Sequence, residues 1–360
     1  MRTIRMLVVG LPLALAATAL ALGQGPADGT LDIYVIDVEG GEATLFVGPS
    51  GDSLLVDTGW PGFDGRDADR IAAAARDAGV TELDYVIVTH FHTDHMGGSV
   101  QLAERIPVRT WLDHGTTVDE GERRLAAFGI YTDLRSTGEH RVVAPGDTVE
   151  MEGLEVTIIA SHGEVLADPL PGAGGPNPRC GDFVFHGEDI TSRYGDAEDA
   201  RSISAFIRFG EFRTVIMGDL TWNKEHPLVC PDNKLGTVDL YLVSHHGSDT
   251  SGAPAFVHAL APRVGVMNNG PRKGGAVLTF QILEESATLE DLWQNHYSLP
   301  GGDRYNAPGQ YIANVTEGTA LPDGRTVHMG AAHWIHVSAS SDGSFEVTNS
   351  RNGFSRRYEP

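Results

Sequence analysis

The sequence predicts an α/β fold of layered β-sheets flanked by helices. Three observations carry this expectation: short apolar stretches of strand character outnumber helical ones, several of them end in polar clusters, and no Gly-x-Gly-x-x-Gly follows any of them. A doubly wound nucleotide-binding sheet would need that last motif at its first strand-to-helix turn. With 360 residues, 41% hydrophobic and 21% charged, the chain has material for a sizeable core and none of the bias of a disordered or fibrous protein.

The first residues read as an export signal. Arg2 and Arg5 precede the apolar run Leu7–Leu22, which closes on small residues at Ala19, Ala21 and Gly23. Sixteen mostly apolar residues fall short of the about 20 that span a bilayer, and Pro12 interrupts them. Residues 1–23 are therefore expected to be removed, leaving a secreted or periplasmic chain from 24 to 360 with no membrane span. In such a compartment Cys180 and Cys230 can form a bridge; the spacing alone leaves a bridge and two buried thiols equally open.

Alternation of apolar and polar residues predicts strands from Leu31 to Val38, Thr44 to Val47 and Ser53 to Val56, joined by Gly-rich turns. Arg66–Ala78, with Ile71 and Ala75 four apart and Gly79 after it, predicts an amphipathic helix with a glycine stop. Leu83–Val88 is almost continuously apolar and suits a strand covered on both faces. Further strands are expected at Val108–Leu112, Val149–Ala160, Ile203–Phe209, Arg213–Met217 and Val238–Val243. Ala167–Gly181 is too long and too rich in Gly and Pro for a simple turn and is expected to rim a cleft. Near the C-terminus, Ser340-Ser341-Asp342-Gly343 joins two strand-like pieces, Ala332–Ala339 and Ser344–Thr348, as a hairpin.

The chemistry concentrates after the apolar run at 83–88, in Thr89-His90-Phe91-His92-Thr93-Asp94-His95-Met96-Gly97-Gly98. Three imidazoles and a carboxylate within six positions are costly to bury unless a cation collects them. Other strand ends supply more donors: His162 after Val156–Ala160, Asp219 after Met217-Gly218, and His245-His246 after Leu240–Ser244. Singly, each has a bland reading as a loop cap, a turn residue or a partnered surface pair. Together, counting the adjacent His245-His246 pair once, they supply seven ligand positions, enough for two metal ions. His114 and His296 are candidate cleft contacts, but both lie beside apolar or aromatic residues and read preferentially as partnered structural histidines.

The His-x-His-x-Asp-His string, the preceding Val56-Asp57-Thr58-Gly59, Met217-Gly218-Asp219 and Ser244-His245-His246-Gly247-Ser248 resemble the metallo-β-lactamase fold superfamily of hydrolases over roughly residues 31 to 270. Within it, the His-His-Gly-Ser and Gly-Asp-Leu elements are more similar to the hydrolase domain of the DNA-uptake competence channel and to phosphorylcholine esterases than to true β-lactamases. The resemblance implies an αββα sandwich of two mixed sheets, with residues from about 271 as an extension that covers the cleft or adds a strand. It implies one zinc ion on His90, His92 and His162, a second on Asp94, His95 and one of His245 and His246, and Asp219 bridging them. Because side chains alternate along a strand, only one of the His pair is expected to face the site, and His245 is the favoured one. Asp57 is expected beneath the metal loop, where it also stabilises its own turn. His92, where the di-iron oxidoreductases of the superfamily usually carry a carboxylate, favours zinc over iron.

Two zinc ions about 3.5–4 Å apart polarise a substrate oxygen and supply hydroxide at neutral pH, with Asp94 or Asp219 accepting the proton. A hydrolase of esters, amides or phosphodiesters follows, and the clamp suits displacement at phosphorus. Lys plus Arg is 26 against 49 for Asp plus Glu, a net charge of −23, which disfavours long nucleic acid and leaves small or lipid-linked substrates. Arg263, Arg272 and Lys273 are the nearest basic residues after the last ligand and read either as a phosphate contact or as solvated loop charges. A lactonase or β-lactamase is the rival enzyme reading. A non-catalytic zinc protein is the rival of another class, and it predicts one closed, four-coordinate site.

Overall fold

Strands form where the apolar residues alternate, and the computed structural model pairs them into two mixed sheets; it describes residues 29–182, 197–315, 318–320, 326–330 and 332–360. In chain order the sheet strands are β1 (Thr30–Val35), β2 (Thr44–Val47), β3 (Ser53–Val56), β4 (Leu83–Ile87), β5 (Val108–Asp113), β6 (Glu139–Val142), β7 (Thr148–Met151), β8 (Leu154–Ser161), β9 (Ser204–Phe209), β10 (Phe212–Ile216), β11 (Leu240–Leu242), β12 (Val264–Met267), β13 (Asp291–His296), β14 (Ile312–Asn314), β15 (Ile335–Ser340), β16 (Phe345–Asn349) and β17 (Ser355–Tyr358). The first sheet runs β17-β16-β15-β1-β2-β3-β4-β5-β6 and the second β14-β13-β12-β11-β10-β9-β8-β7. Pairing is parallel from β3 to β6 and from β10 through β11 to β14, and antiparallel elsewhere along both sheets.

The period of two decides which residue goes where. In β3, Leu54 and Val56 join the core between the sheets while Leu55 faces the outer helical layer. Ile33, Phe46 and Ile87 of the first sheet meet Val156, Ile207, Phe212, Leu242 and Trp293 of the second in that shared core. Outside the first sheet lies the helix α1 (Arg66–Asp77), which buries Ile71, Ala74 and Ala75. Its C-terminus is turned by Gly79 at φ 75°, and Val80 N–H donates to Ala75 O at 2.8 Å. Leu228, Phe256 and Leu283, on three short helices, cover the outer face of the second sheet. This is the αββα layering.

Two expectations change. Val149–Ala160 is not one strand but the β7/β8 hairpin, reversed at Gly153, whose φ of 84° admits glycine without strain. The residues after 271 do not form a separable extension: β13 and β14 widen the second sheet, while β15 pairs with β1 across six residues and completes the first. The hairpin at Ser340–Gly343 is present, with Gly343 N–H donating to Ser340 O at 3.1 Å. Cys180 and Cys230 are bridged, with Cα atoms 5.7 Å apart. The expected export signal lies outside the described residues, and among those described no helix is long and apolar enough to cross a membrane.

Candidate metal centre

Parallel strands end at a common edge, so the loops after β3, β4, β10 and β11 converge there. One group of donors consists of Asp94, His95, Asp219 and His246, whose ligand atoms all lie within 4.8 Å of one another. His95 Nε2 is 3.2 Å from Asp219 Oδ2 and 3.4 Å from Asp94 Oδ2. His246 Nε2 is 3.2 Å from His95 Nε2 and 3.5 Å from Asp94 Oδ2. A second group holds His90, His92 and Asp199, with His92 Nδ1 at 3.0 Å from His90 Nε2 and 2.9 Å from Asp199 Oδ1. Asp219 Oδ2 is 3.9 Å from His90 Nε2 and so stands between the groups.

The backing of the first group comes from the Asp-Thr-Gly turn after β3. Asp57, at φ 62° and fully buried, accepts from Thr89 N–H and from Thr89 Oγ1, each at 2.7 Å. Its Oδ2 is also 2.7 Å from His95 Nδ1, which fixes the ring so that Nε2 faces the other donors. Asp57 thus sits against His95 and Thr89 of the metal loop. Thr58 closes the same turn by donating N–H and hydroxyl to His95 O.

Burial and neighbouring charge divide these groups sharply. Burial opposes charge on both His95 and Asp219, yet Asp219 and Asp57 hold His95 well above its ordinary range. His245, His95 and His246 hold Asp219 well below the usual carboxylate range. Burial and the adjacent His95 and His92 push His90 well below. Packing alone does not satisfy the cluster, because Asp219 Oδ1 is buried without a hydrogen-bond partner. Imidazole nitrogens with carboxylates form a donor set suited to divalent zinc. The residues fit a metal centre.

Two sequence-based assignments need correction. His162 is exposed and joins neither group; its ring nitrogens lie 3.1 Å from Arg201 Nη1. The cause is local: Ser161 pairs with Glu164, and His162 and Gly163 at φ 54° and 83° make a two-residue left-handed turn that aims the ring outward. Asp199 stands in its place. The His245/His246 pair does not obey strand alternation either, because both residues sit in a turn at φ 51° and 55°. His246 enters the four-residue group, while the half-buried His245 places Nε2 3.1 Å from Asp219 Oδ2 from the other side.

Other side chains gain a place. Glu42, buried and pushed up to about 7 by that burial, accepts from Thr44 Oγ1 at 2.6 Å and from Asn268, while its N–H donates to Asp94 O. Gly41 beside it has no room for a Cβ, which would lie 2.6 Å from Asp94 O. Glu42 and Asp199 carry no spacing motif, so sequence reasoning passed them over. Of the three basic residues, only Lys273 reaches the centre: its ammonium contacts Asp94 Oδ2 and lies 5.2 Å from the Trp60 ring centroid. Arg272 is exposed, and Arg263 pairs with Glu290.

His114 and His296 are partnered, as expected. His296 Nε2 is 3.0 Å from Asp37 Oδ1, and although burial opposes it, His296 and Arg70 hold the Asp37 carboxyl at about 2. Glu39 shares this network with Arg66, so the neighbouring Asp37, Glu39 and His296 are charge-compensated without an ion. Leu170–Pro176 line a cavity of about 510 Å³ with Arg208, Arg213 and Asn233 that contains none of the metal-centre donors.

The chain is 32% identical over 119 residues to a hydroxyacylglutathione hydrolase of Acidiphilium cryptum, covering 33% of this chain and 42% of that one. It is 32% identical over 149 residues to a ribonuclease Z of Methanopyrus kandleri, covering 37% and 46%. The chain spans less than half the length of the curated relatives it matches. Among solved structures, the metallo-beta-lactamase fold protein YhfI from Bacillus subtilis is 13% identical with a TM-score of 0.42, covering 73% of this chain and 95% of that one. The metallo-beta-lactamase superfamily model matches residues 37–267, more than half of the 360 residues and all of the donors above, and the chain belongs to that superfamily.

Proposed function

We propose that this chain is an exported hydrolase that binds two zinc ions and cleaves phosphodiesters or phosphoesters. The observation that carries the reading is the buried Asp219 carboxylate standing between two separate groups of donors. One ion is assigned to Asp94, His95 and His246, the other to His90, His92 and Asp199, with Asp219 shared. Bound there, such ions polarise the scissile group and acidify an attacking water. Asp94 and Asp219 are the proton acceptors of this reading. His245, half-buried and within hydrogen-bonding distance of Thr250 and Ser251 through Nδ1, holds Nε2 3.1 Å from Asp219 Oδ2 and supports that carboxylate.

Lys273 favours an anionic substrate group, since its ammonium contacts the donor Asp94 in a chain of net charge −23. The His-His-Gly-Ser resemblance and the ribonuclease Z relative point to the same class. The hydroxyacylglutathione hydrolase relative, named for an acyl thioester, favours a second reading, hydrolysis at an acyl carbon such as that of a lactone or β-lactam. The Cys180–Cys230 bridge supports export, because such bridges persist in oxidising compartments.

The test compares turnover of bis-p-nitrophenyl phosphate, nitrocefin and an acyl lactone by the zinc-loaded protein. The phosphodiester should be hydrolysed fastest, and Asp219→Ala should lower its kcat/KM by more than the about 10–100-fold typical of losing an outer metal partner. Hydrolysis of the lactone or nitrocefin alone would select the second reading. One tightly held zinc ion with no hydrolysis of any of the three would overturn both.

A further inference from the structure

We infer that Glu198 is the positioning residue of the His90–His92–Asp199 group and keeps that group competent for an ion independently of the Asp94–His95–His246 group. The inference rests on the two-ion reading above. Glu198 is fully buried, and a single carboxylate there gathers four donors. Its Oε1 accepts Phe91 N–H at 3.0 Å and lies 3.0 Å from His114 Nε2. Its Oε2 accepts Val118 N–H and Thr117 Oγ1, each at 3.0 Å.

Each of those bonds fixes something the second group needs. The Phe91 peptide lies between His90 and His92, so anchoring its N–H sets the backbone from which both rings project. Val118 and Thr117 lead directly into Asp119, whose Oδ2 is 3.8 Å from His92 Nε2. Glu198 is itself the residue before Asp199, so the four bonds also immobilise the third donor. His114 packs its ring 4.4 Å from that of Phe91 and closes the anchor from the far side. Among the described residues, these four bonds run to Phe91, His114, Thr117 and Val118 and none of them to Asp219, so Glu198 acts on the group through its neighbours and its role is one of position.

The other group has its own anchor. Asp57 holds His95 directly and reaches His90 only through the Thr89 hydroxyl, 3.1 Å from His90 Nδ1, whereas Glu198 holds Phe91 and the residue before Asp199, and the two carboxylates share no direct partner. Removing one anchor should therefore release one ion. In Glu198→Gln one of the two acceptor oxygens becomes an NH2 group, so either the Phe91 N–H or the Val118 N–H is left facing a donor.

The experiment titrates the apo chain with Zn2+ against a chromophoric chelator and counts zinc per chain. The wild type should hold two ions. Glu198→Gln should weaken one of them by about 10–100-fold and leave the other within about threefold, and Asp57→Asn should show the same one-ion pattern. The two lost ions are distinguished by the Asp199→Ala background. There the surviving ion should be indifferent to Glu198→Gln and sensitive to Asp57→Asn. Thr117→Val, which removes one donor and leaves the carboxylate, should shift the same ion in the same direction by a smaller factor, and it serves where Glu198→Gln does not fold. A wild type holding two ions that these variants weaken equally, or not at all, overturns the inference alone. A wild type holding one ion overturns the two-ion reading and this inference with it.

Discussion

His162 and Asp199 show how much a single backbone conformation decides. Both stand at the end of a strand or turn near the same edge, yet the left-handed turn at His162 and Gly163 sends the imidazole into solvent beside Arg201. Asp199 is 8% exposed and lies within reach of two histidines. The His245/His246 pair makes the same point in reverse, since two left-handed residues in succession let adjacent rings approach one carboxylate from two sides. His162→Ala is expected to keep its full zinc content and to hydrolyse bis-p-nitrophenyl phosphate within about twofold of the wild type, the usual size of a surface change. Asp199→Ala is expected to lose one ion and at least about tenfold in turnover. Zinc analysis and steady-state kinetics on the two variants decide between them, and the opposite ranking would restore His162 as the ligand.

At the scale of elements, what is legible in sequence is what is contiguous. His90, His92, Asp94 and His95 share one loop after one buried strand, so spacing alone exposes them, and Asp57 is visible because its turn is short and stereotyped. Asp219 and His246 are legible as strand ends, although not which His of the pair points inward. Asp199, Glu198 and Glu42 are not, because each is brought in by tertiary contacts that leave no local periodicity. The C-terminal strands were half legible: alternation announces β15 and β16, but nothing local says that β15 seals the edge of β1. That pairing makes a prediction. Ile335, Val337, Phe345, Val347 and Tyr358 are all at most 1% exposed within the core between the sheets, so ending the chain at residue 330 uncovers both apolar surface and the open edge of β1. The truncated chain should aggregate or lose its cooperative thermal transition, whereas a soluble truncation melting cooperatively would show that the last three strands are dispensable. Circular dichroism melts and gel filtration provide the comparison.

Across the whole molecule, an acidic field and a locally cationic centre oppose each other. The net charge of −23 repels an anionic substrate at distances comparable with the Debye length, while Lys273 and bound divalent ions attract it only at contact. Salt screens the first interaction more than the second, because separated surface charges are screened within about 10 Å at ~0.1 M ionic strength whereas buried, short-range contacts are not. Raising ionic strength from ~0.01 M to ~0.1 M is therefore expected to increase kcat/KM for bis-p-nitrophenyl phosphate and leave a neutral ester such as p-nitrophenyl acetate nearly unchanged. The increase should be larger for a dinucleotide and larger again for a longer oligonucleotide, since each added phosphate meets the acidic surface and not the centre. Lys273→Met should raise KM for the anionic substrate at every ionic strength without altering the slope, because it removes a contact and hardly changes the field. A rate that falls with salt, as it does where surface attraction guides a polyanion, would mean that a basic surface leads to the centre and that extended nucleic acid is a fitting substrate after all.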